Sequence, residues 1–377
     1  MPGLYLHVPF CRKACHYCDF HFSTQQSYRL RMVQAMVQEM GLRKAELKSP
    51  VLTSVYFGGG TPSLLSEQEL VVLWQGILAH FHIAENAEIT LELNPEDATL
   101  EKLNFYKNLG INRLSIGVQS FRQEDLTFMN RAHNTAQAQH ALDLIVKVGF
   151  PAFTLDLMYG LPNLSREAWK ENLCKAFAYQ PPHFSAYCLH LEEKTVWHHW
   201  IAQGKMPAPL VENALAHWDI LQDMATAEGY ENYEISNFAK HGQYARHNTA
   251  YWQAEPYLGI GAAAHSFDGQ VRRMNPSNNH TYMLAIESGK TIYQQETLSL
   301  HERYNEYVLI ALRTMWGFSL AHIATHFGLT FKNHAQQNMQ TFLDNQHLIE
   351  LPTGHFALTP AGKKIADYIS TELFYLP

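Results

Sequence analysis

Three cysteines stand within eight residues near the start of the chain: Cys11, Cys15 and Cys18, spaced C-x3-C-x2-C. Of the five cysteines in 377 residues, only Cys174 and Cys188 lie elsewhere. Where thiols stay reduced, such a set reads as metal ligation rather than disulfide bonding. Two chemistries fit it. A structural zinc ion takes four protein ligands, and His21 or His16 would complete that set. A 4Fe–4S cluster held by three thiolates leaves one iron open to a small-molecule ligand. The second chemistry accounts for a loop that stops at three.

Such a loop must be positioned, and the first half of the sequence alternates strand and helix patterns. Apolar or β-branched runs at Leu4–Val8, Val51–Phe57, Ile89–Leu93, Arg113–Val118, Phe153–Met158 and Phe184–Leu189 predict strands. Helical spacing predicts helices over Tyr28–Lys48, from Ser66 to His80, and over Thr99–Leu109, Thr135–Val148 and Ser165–Tyr179. Ser66 followed by Glu69 has the form of a capping box. Strand–helix repetition of this kind implies a parallel sheet curved into a full or partial barrel. Chemistry in such folds sits on loops at the carboxyl ends of the strands. The cysteine loop, Gly58–Pro62, Glu92, Gln119 and Asp156 all fall there.

The second half reads differently. Val211–Glu228 is predicted helical, Glu231–Ala239 a short aromatic connection, and Asn275–His280 a loop. Helices follow over Glu302–Arg313, Leu320–Phe327, Asn333–Gln346 and Pro360–Glu372, with a strand at His355–Leu358. The expectation is an α/β chain: a partial (β/α)6 barrel over residues 1–235, with its cluster loop at 11–18, and a mostly helical, winged-helix-like domain over 236–377. Cys174 and Cys188 are expected to pack as small apolar residues.

Composition narrows the function classes. Apolar residues make up 46% and charged residues 17%, enough to build a core. The formal charge of −7 argues against nucleic acid as a partner. No apolar run is long enough to span a bilayer, and MPGLYLHVPFC lacks the features of a signal peptide, so a cytoplasmic location is expected.

Beyond the cysteine loop, YLHVPFC, CHYCDF, FGGGTPSLLS, LELNPE, RLSIGVQSF, LDLMYGLP and RHNTAYW follow in order. The cysteine loop resembles that of the radical S-adenosylmethionine superfamily. The whole series is similar to its oxygen-independent coproporphyrinogen III oxidase group. By that resemblance the cofactors are a 4Fe–4S cluster on Cys11, Cys15 and Cys18, and S-adenosylmethionine. The implied S-adenosylmethionine contacts are Tyr5, Gly59, Gly60, Thr61, Glu92, Gln119, Arg131 and Asp156. The oxidases carry a further cysteine two places after the third ligand, where this chain has Phe20. H-N-x-x-Y-W, here His247, Asn248, Tyr251 and Trp252, resembles the heme-chaperone (HemW) branch instead. For those four residues the resemblance implies heme binding. Spacing alone reads His247 as a buried, hydrogen-bonded histidine among core aromatics. The branch implies a transfer protein without assigned catalytic residues, which delivers heme to respiratory hemoproteins met at the membrane surface. It is compatible with a homodimer. The alternative is the oxidase itself, performing radical oxidative decarboxylation to protoporphyrinogen.

Overall fold

The computed structural model describes residues 2–376. Six parallel strands form the barrel wall: β1 (Gly3–Val8), β2 (Val51–Gly59), β3 (His82–Leu93), β4 (Arg113–Gln119), β5 (Ala152–Tyr159) and β6 (His183–Cys188). Their apolar side chains, among them Leu4, Leu6, Val55, Phe57, Leu91, Leu114, Ile116, Leu155 and Phe184, are buried under a jacket of helices. Helices 67–80 and 135–148 begin with reciprocal capping boxes, Ser66 with Glu69 and Asn134 with Gln137. Each box satisfies two backbone N–H groups that the first turn leaves without partners.

The sheet does not end at β6. The stretch read as a connection at Glu231–Ala239 folds as an antiparallel hairpin, β7 (Glu231–Glu234) and β8 (Asn237–Ala239), with β8 paired to β6. On the other side β9 (Tyr257–Ile260) pairs in parallel with β1. It is followed by antiparallel β10 (His265–Phe267), β11 (Val271–Met274) and β12 (Gln294–Thr297). The order is β12-β11-β10-β9-β1-β2-β3-β4-β5-β6-β8-β7, an open barrel of twelve strands among the described residues. The boundary expected at residue 235 falls between the paired strands β7 and β8.

A second apolar cluster begins at Tyr304 and includes Val308, Phe318, Ile323, Phe331, Phe342 and Ile369. Helices 300–312, 320–326, 329–344 and 366–373 surround a small sheet of β13 (Phe318–Ser319), β15 (His355–Leu358) and β14 (Leu348–Glu350). The helix expected over Pro360–Glu372 is two pieces, 360–363 and 366–373. Likewise the first helix ends at Arg43, with a 3-10 turn after it, rather than at Lys48. This unit is fastened to the β7–β8 hairpin. The Ile235 N–H donates to Arg313 O at 2.9 Å, and Met315 N–H to Tyr233 O at 2.9 Å. Lys363 Nζ donates to Asn232 O at 3.0 Å.

Candidate functional site

The cysteine loop leaves β1 and lies over the carboxyl end of the barrel. There a cavity of about 450 Å³ is lined by Cys11, Cys15, Cys18, Gly59, Gly60, Thr61, Glu92, Gln119, Arg131 and Asp156, among others. Ten residues named from sequence thus meet in one place. The barrel accounts for it. Consecutive parallel strands turn every second side chain inward, so Glu92, Ser115 and Asp156 project from β3, β4 and β5 into one space.

Close approach makes the glycines necessary. A Cβ on Gly59, whose φ is +104°, would meet the His7 ring at 2.7 Å. One on Gly60 would meet Phe10 O at 2.7 Å, so this loop lies directly against the start of the cysteine loop. Thr61 Oγ1 donates to Cys11 Sγ at 3.5 Å. Gln119 ends β4 at a register shift with φ +66°, a left-handed conformation unusual for a residue with a side chain.

Arg131 is the central cation. Its guanidinium donates to Asn94 Oδ1 at 2.7 Å and to Gly117 O at 3.0 Å, and lies 3.6 Å from Cys15 Sγ. Its Nε is buried without a partner, as is Asp156 Oδ1. Asp156 Oδ2 accepts from Ser115 Oγ at 3.2 Å, and Glu92 accepts from Tyr56 at 2.9 Å. Burial pushes Glu92 up to about 7 and Asp156 up to about 6. Burial also pushes the Cys11 thiol up to about 11 and Cys18 up to about 12, so bound iron would have to displace their protons. The cavity therefore offers both carboxylates and a cation to a ligand bearing both charges, with orphaned polar atoms still to satisfy.

The cysteines suit a cluster better than a single ion. Among the described residues no three or more His, Cys, Asp and Glu side chains stand close enough to hold one metal ion. His21 Nε2 is engaged with Asn279 Oδ1 at 2.7 Å, and His16 Nδ1 with Phe128 O at 3.0 Å. Neither imidazole completes a zinc set. Three separate thiols around one cavity fit a polynuclear cluster, whose irons occupy separate corners.

Two groups of expected residues lie elsewhere. Tyr5 does not line this cavity; its ring stacks on Tyr56 and lies over His247, lower in the barrel. The H-N-x-x-Y-W residues form helix 246–252 near the amino ends of β1 and β2, at the opposite end from the cysteine loop. His247 is 2% exposed. Its Nδ1 is 2.8 Å from Ser54 Oγ and its Nε2 2.8 Å from Tyr251 Oη. Glu88 accepts from the His247 backbone N–H at 3.0 Å. Burial lowers the imidazole to about 3. Asn248 is half-buried, and Tyr251 and Trp252 border a separate cavity of about 190 Å³.

Other cavity residues escaped the sequence reading: Asn94, Ser115, Met158, Tyr187 and Cys188. The strand period carries the signal for Ser115 and Tyr187, since Ser115 pairs with Glu92 and Tyr187 with Met158 across the sheet. Cys188 was expected in the core, yet it is exposed at the end of β6 and faces the cavity; Cys174 is exposed as well. Phe20, in place of a fourth loop cysteine, is 68% exposed at the cavity mouth.

An open parallel barrel with a three-cysteine loop over its carboxyl end defines the radical S-adenosylmethionine class, and comparison with known proteins agrees. The family described as Radical SAM superfamily matches residues 5–173, and the HemN C-terminal domain matches 298–364. The heme chaperone HemW of Bacillus subtilis is 34% identical over 87% of this chain and 87% of its own length. That of Haemophilus influenzae is 31% identical over 99% and 97%. The fold matches coproporphyrinogen III oxidase (HemN) of Escherichia coli with a TM-score of 0.84, at 22% identity, over 99% of this chain and 90% of that one. The chain belongs to the HemW family within the radical S-adenosylmethionine superfamily.

Proposed function

We propose that the protein is a heme chaperone: it binds heme, a 4Fe–4S cluster and S-adenosylmethionine, and delivers the heme to respiratory hemoproteins met at the membrane surface. Among the described residues no helix is long and apolar enough to cross a membrane. In this reading Cys11, Cys15 and Cys18 hold the cluster. Arg131 and Asn94 receive the carboxylate end of S-adenosylmethionine, the Gly59–Thr61 backbone its amino-acid portion, and Glu92 and Asp156 its ribose. Bound together, cluster and S-adenosylmethionine supply one-electron cleavage of a sulfonium to an adenosyl radical. The chain's own part is to bind, to orient, and to keep Arg131 desolvated beside Cys15.

The observation that carries the chaperone reading over the oxidase reading is the residue at position 20. An exposed phenylalanine occupies the place where the oxidases carry another cysteine. Relatives called heme chaperones across nearly the whole chain support the same choice. The test is anaerobic incubation of the cluster-loaded, reduced protein with S-adenosylmethionine and coproporphyrinogen, beside a heme titration. A Soret band without protoporphyrinogen is expected. Catalytic protoporphyrinogen formation would overturn the chaperone reading in favour of the oxidase.

A further inference from the structure

On β1 and β2 the interior of the barrel is polar and aromatic rather than aliphatic. Alternate residues turn inward, and the two strands pair in register as Gly3 with Ser54, Tyr5 with Tyr56 and His7 with Gly58. At one end Ser54 Oγ lies 2.8 Å from His247 Nδ1. At the other Gly58 sits against Glu92, which lines the cavity under the cysteine loop. Tyr56 lies between them and meets both. Its ring stacks on His247, with centroids 5.1 Å apart and planes at 25°, and its hydroxyl donates to Glu92 Oε1 at 2.9 Å.

The packing admits little else. A Cβ on Gly58 would meet the Tyr56 ring at 2.7 Å, and Glu92 Oε1 and the Tyr5 ring at 3.0 Å. Burial and the carboxylates of Glu92 and Asp156 hold the Tyr56 hydroxyl well above its ordinary value, so it stays a donor and Glu92 its acceptor. A second leg runs along β1, from Tyr5 over His247 to His7 Nδ1 at 3.2 Å and on from His7 Nε2 to His21 O at 2.9 Å. It ends on a backbone carbonyl of a residue that does not line the cavity. The leg through Tyr56 ends on a side chain that does.

Resting on the proposed function above and on the heme site that the H-N-x-x-Y-W resemblance implies, we propose that Tyr56 couples the two ends of the barrel, so that S-adenosylmethionine at Glu92 and heme at His247 each tighten the binding of the other. For the imidazole to take iron, Nε2 exchanges Tyr251 for the metal while Ser54 keeps Nδ1. The ring then has one protein hydrogen bond fewer to hold its orientation. The Tyr56 ring, anchored by its hydroxyl to Glu92, is the flat support that remains. A ribose bound at Glu92 fixes that carboxylate and with it the support. Either ligand thus orders groups that the other needs ordered, and the second to bind finds the ordering done. Tyr56 touches neither ligand and acts as a positioning residue.

The test is an anaerobic titration of the protein, its cluster oxidised so that S-adenosylmethionine stays intact, with ferric heme. It is read at the Soret band with and without saturating S-adenosylmethionine, beside the reverse titration. In wild type S-adenosylmethionine should tighten heme binding about fivefold or more, and heme should tighten S-adenosylmethionine by the same factor. Tyr56→Phe keeps the ring and loses the hydroxyl, and in it the factor should fall to one, whatever its affinity for either ligand alone. Unchanged circular dichroism and cluster absorption would show the variant folded. A factor retained in folded Tyr56→Phe, or wild-type sites that fill independently, would overturn the coupling, as would heme binding untouched in folded His247→Ala. Failure of wild type to bind heme at all would overturn the proposed function itself, and the coupling with it.

Discussion

At the carboxyl end of the barrel strands, Arg131 Nε and Asp156 Oδ1 are buried without partners. At the amino end, His247 is just as deeply placed, but Ser54, Tyr251 and Glu88 occupy its two ring nitrogens and its backbone N–H. The residue types alone suggest chemistry at both ends. The bonding of these particular groups differs between the two ends. A buried polar group left open carries a desolvation cost that a ligand in the adjoining cavity can relieve, whereas the bonds of His247 already fix its ring in place.

The contrast can be broken most sharply by removing a thiol. Cys15→Ala should abolish the cluster, with iron and sulfide falling to background, while circular dichroism stays that of wild type. Retention of stoichiometric iron would show that these thiols are not the ligands. The next largest effect is on stability. His247→Ala leaves a cavity and strands Ser54 and Tyr251, at a cost of about 2–4 kcal/mol, read as a fall in denaturation midpoint. An unshifted midpoint would mean that the amino end is not the closed structure described.

The two ends also titrate in opposite directions. Glu92 and Asp156 have folded values of about 7 and about 6, above their ordinary 4.5 and 3.8. Their contribution to stability of the ligand-free chain is full below about pH 4 and lost as pH rises through 6–7. His247 is depressed to about 3 from 6.5, so its contribution is present above pH 6.5 and lost as pH falls. Glu92→Gln should therefore raise the melting temperature at pH 8 and leave it nearly unchanged at pH 4. An equal shift at both pH values would remove Glu92 as the titrating group. The smallest effect sharpens the cysteine assignment: Cys174→Ser, at an exposed helical position, should change neither iron content nor stability beyond about 0.5 kcal/mol.

Much of the barrel was legible because its signals are local. Ser66 and Glu69 cap the second helix as their spacing predicted, and Thr135–Val148 has the predicted bounds because Asn134 and Gly149 punctuate it. Strands β7 to β12 were not legible. They are three or four residues long, too short for alternation to show, and they exist only because β6 and β1 offer free edges to pair with. The break after Lys363 in the last expected helix follows Gly362, where a Cβ would meet His347 O at 2.0 Å, a close approach to a residue of the preceding hairpin.

Within this chain, the order of residue types along the sequence was enough to name a three-thiolate loop and the strand ends that meet it, because a parallel barrel always delivers its carboxyl ends to one rim. How the His247 ring is held could be decided only in three dimensions. The H-N-x-x-Y-W motif draws attention to His247, but its spacing does not say what the two ring nitrogens meet. Folding seats its ring between Tyr251, one turn on along the same helix, and Ser54 of β2, a partner distant in sequence that only the packed barrel brings near.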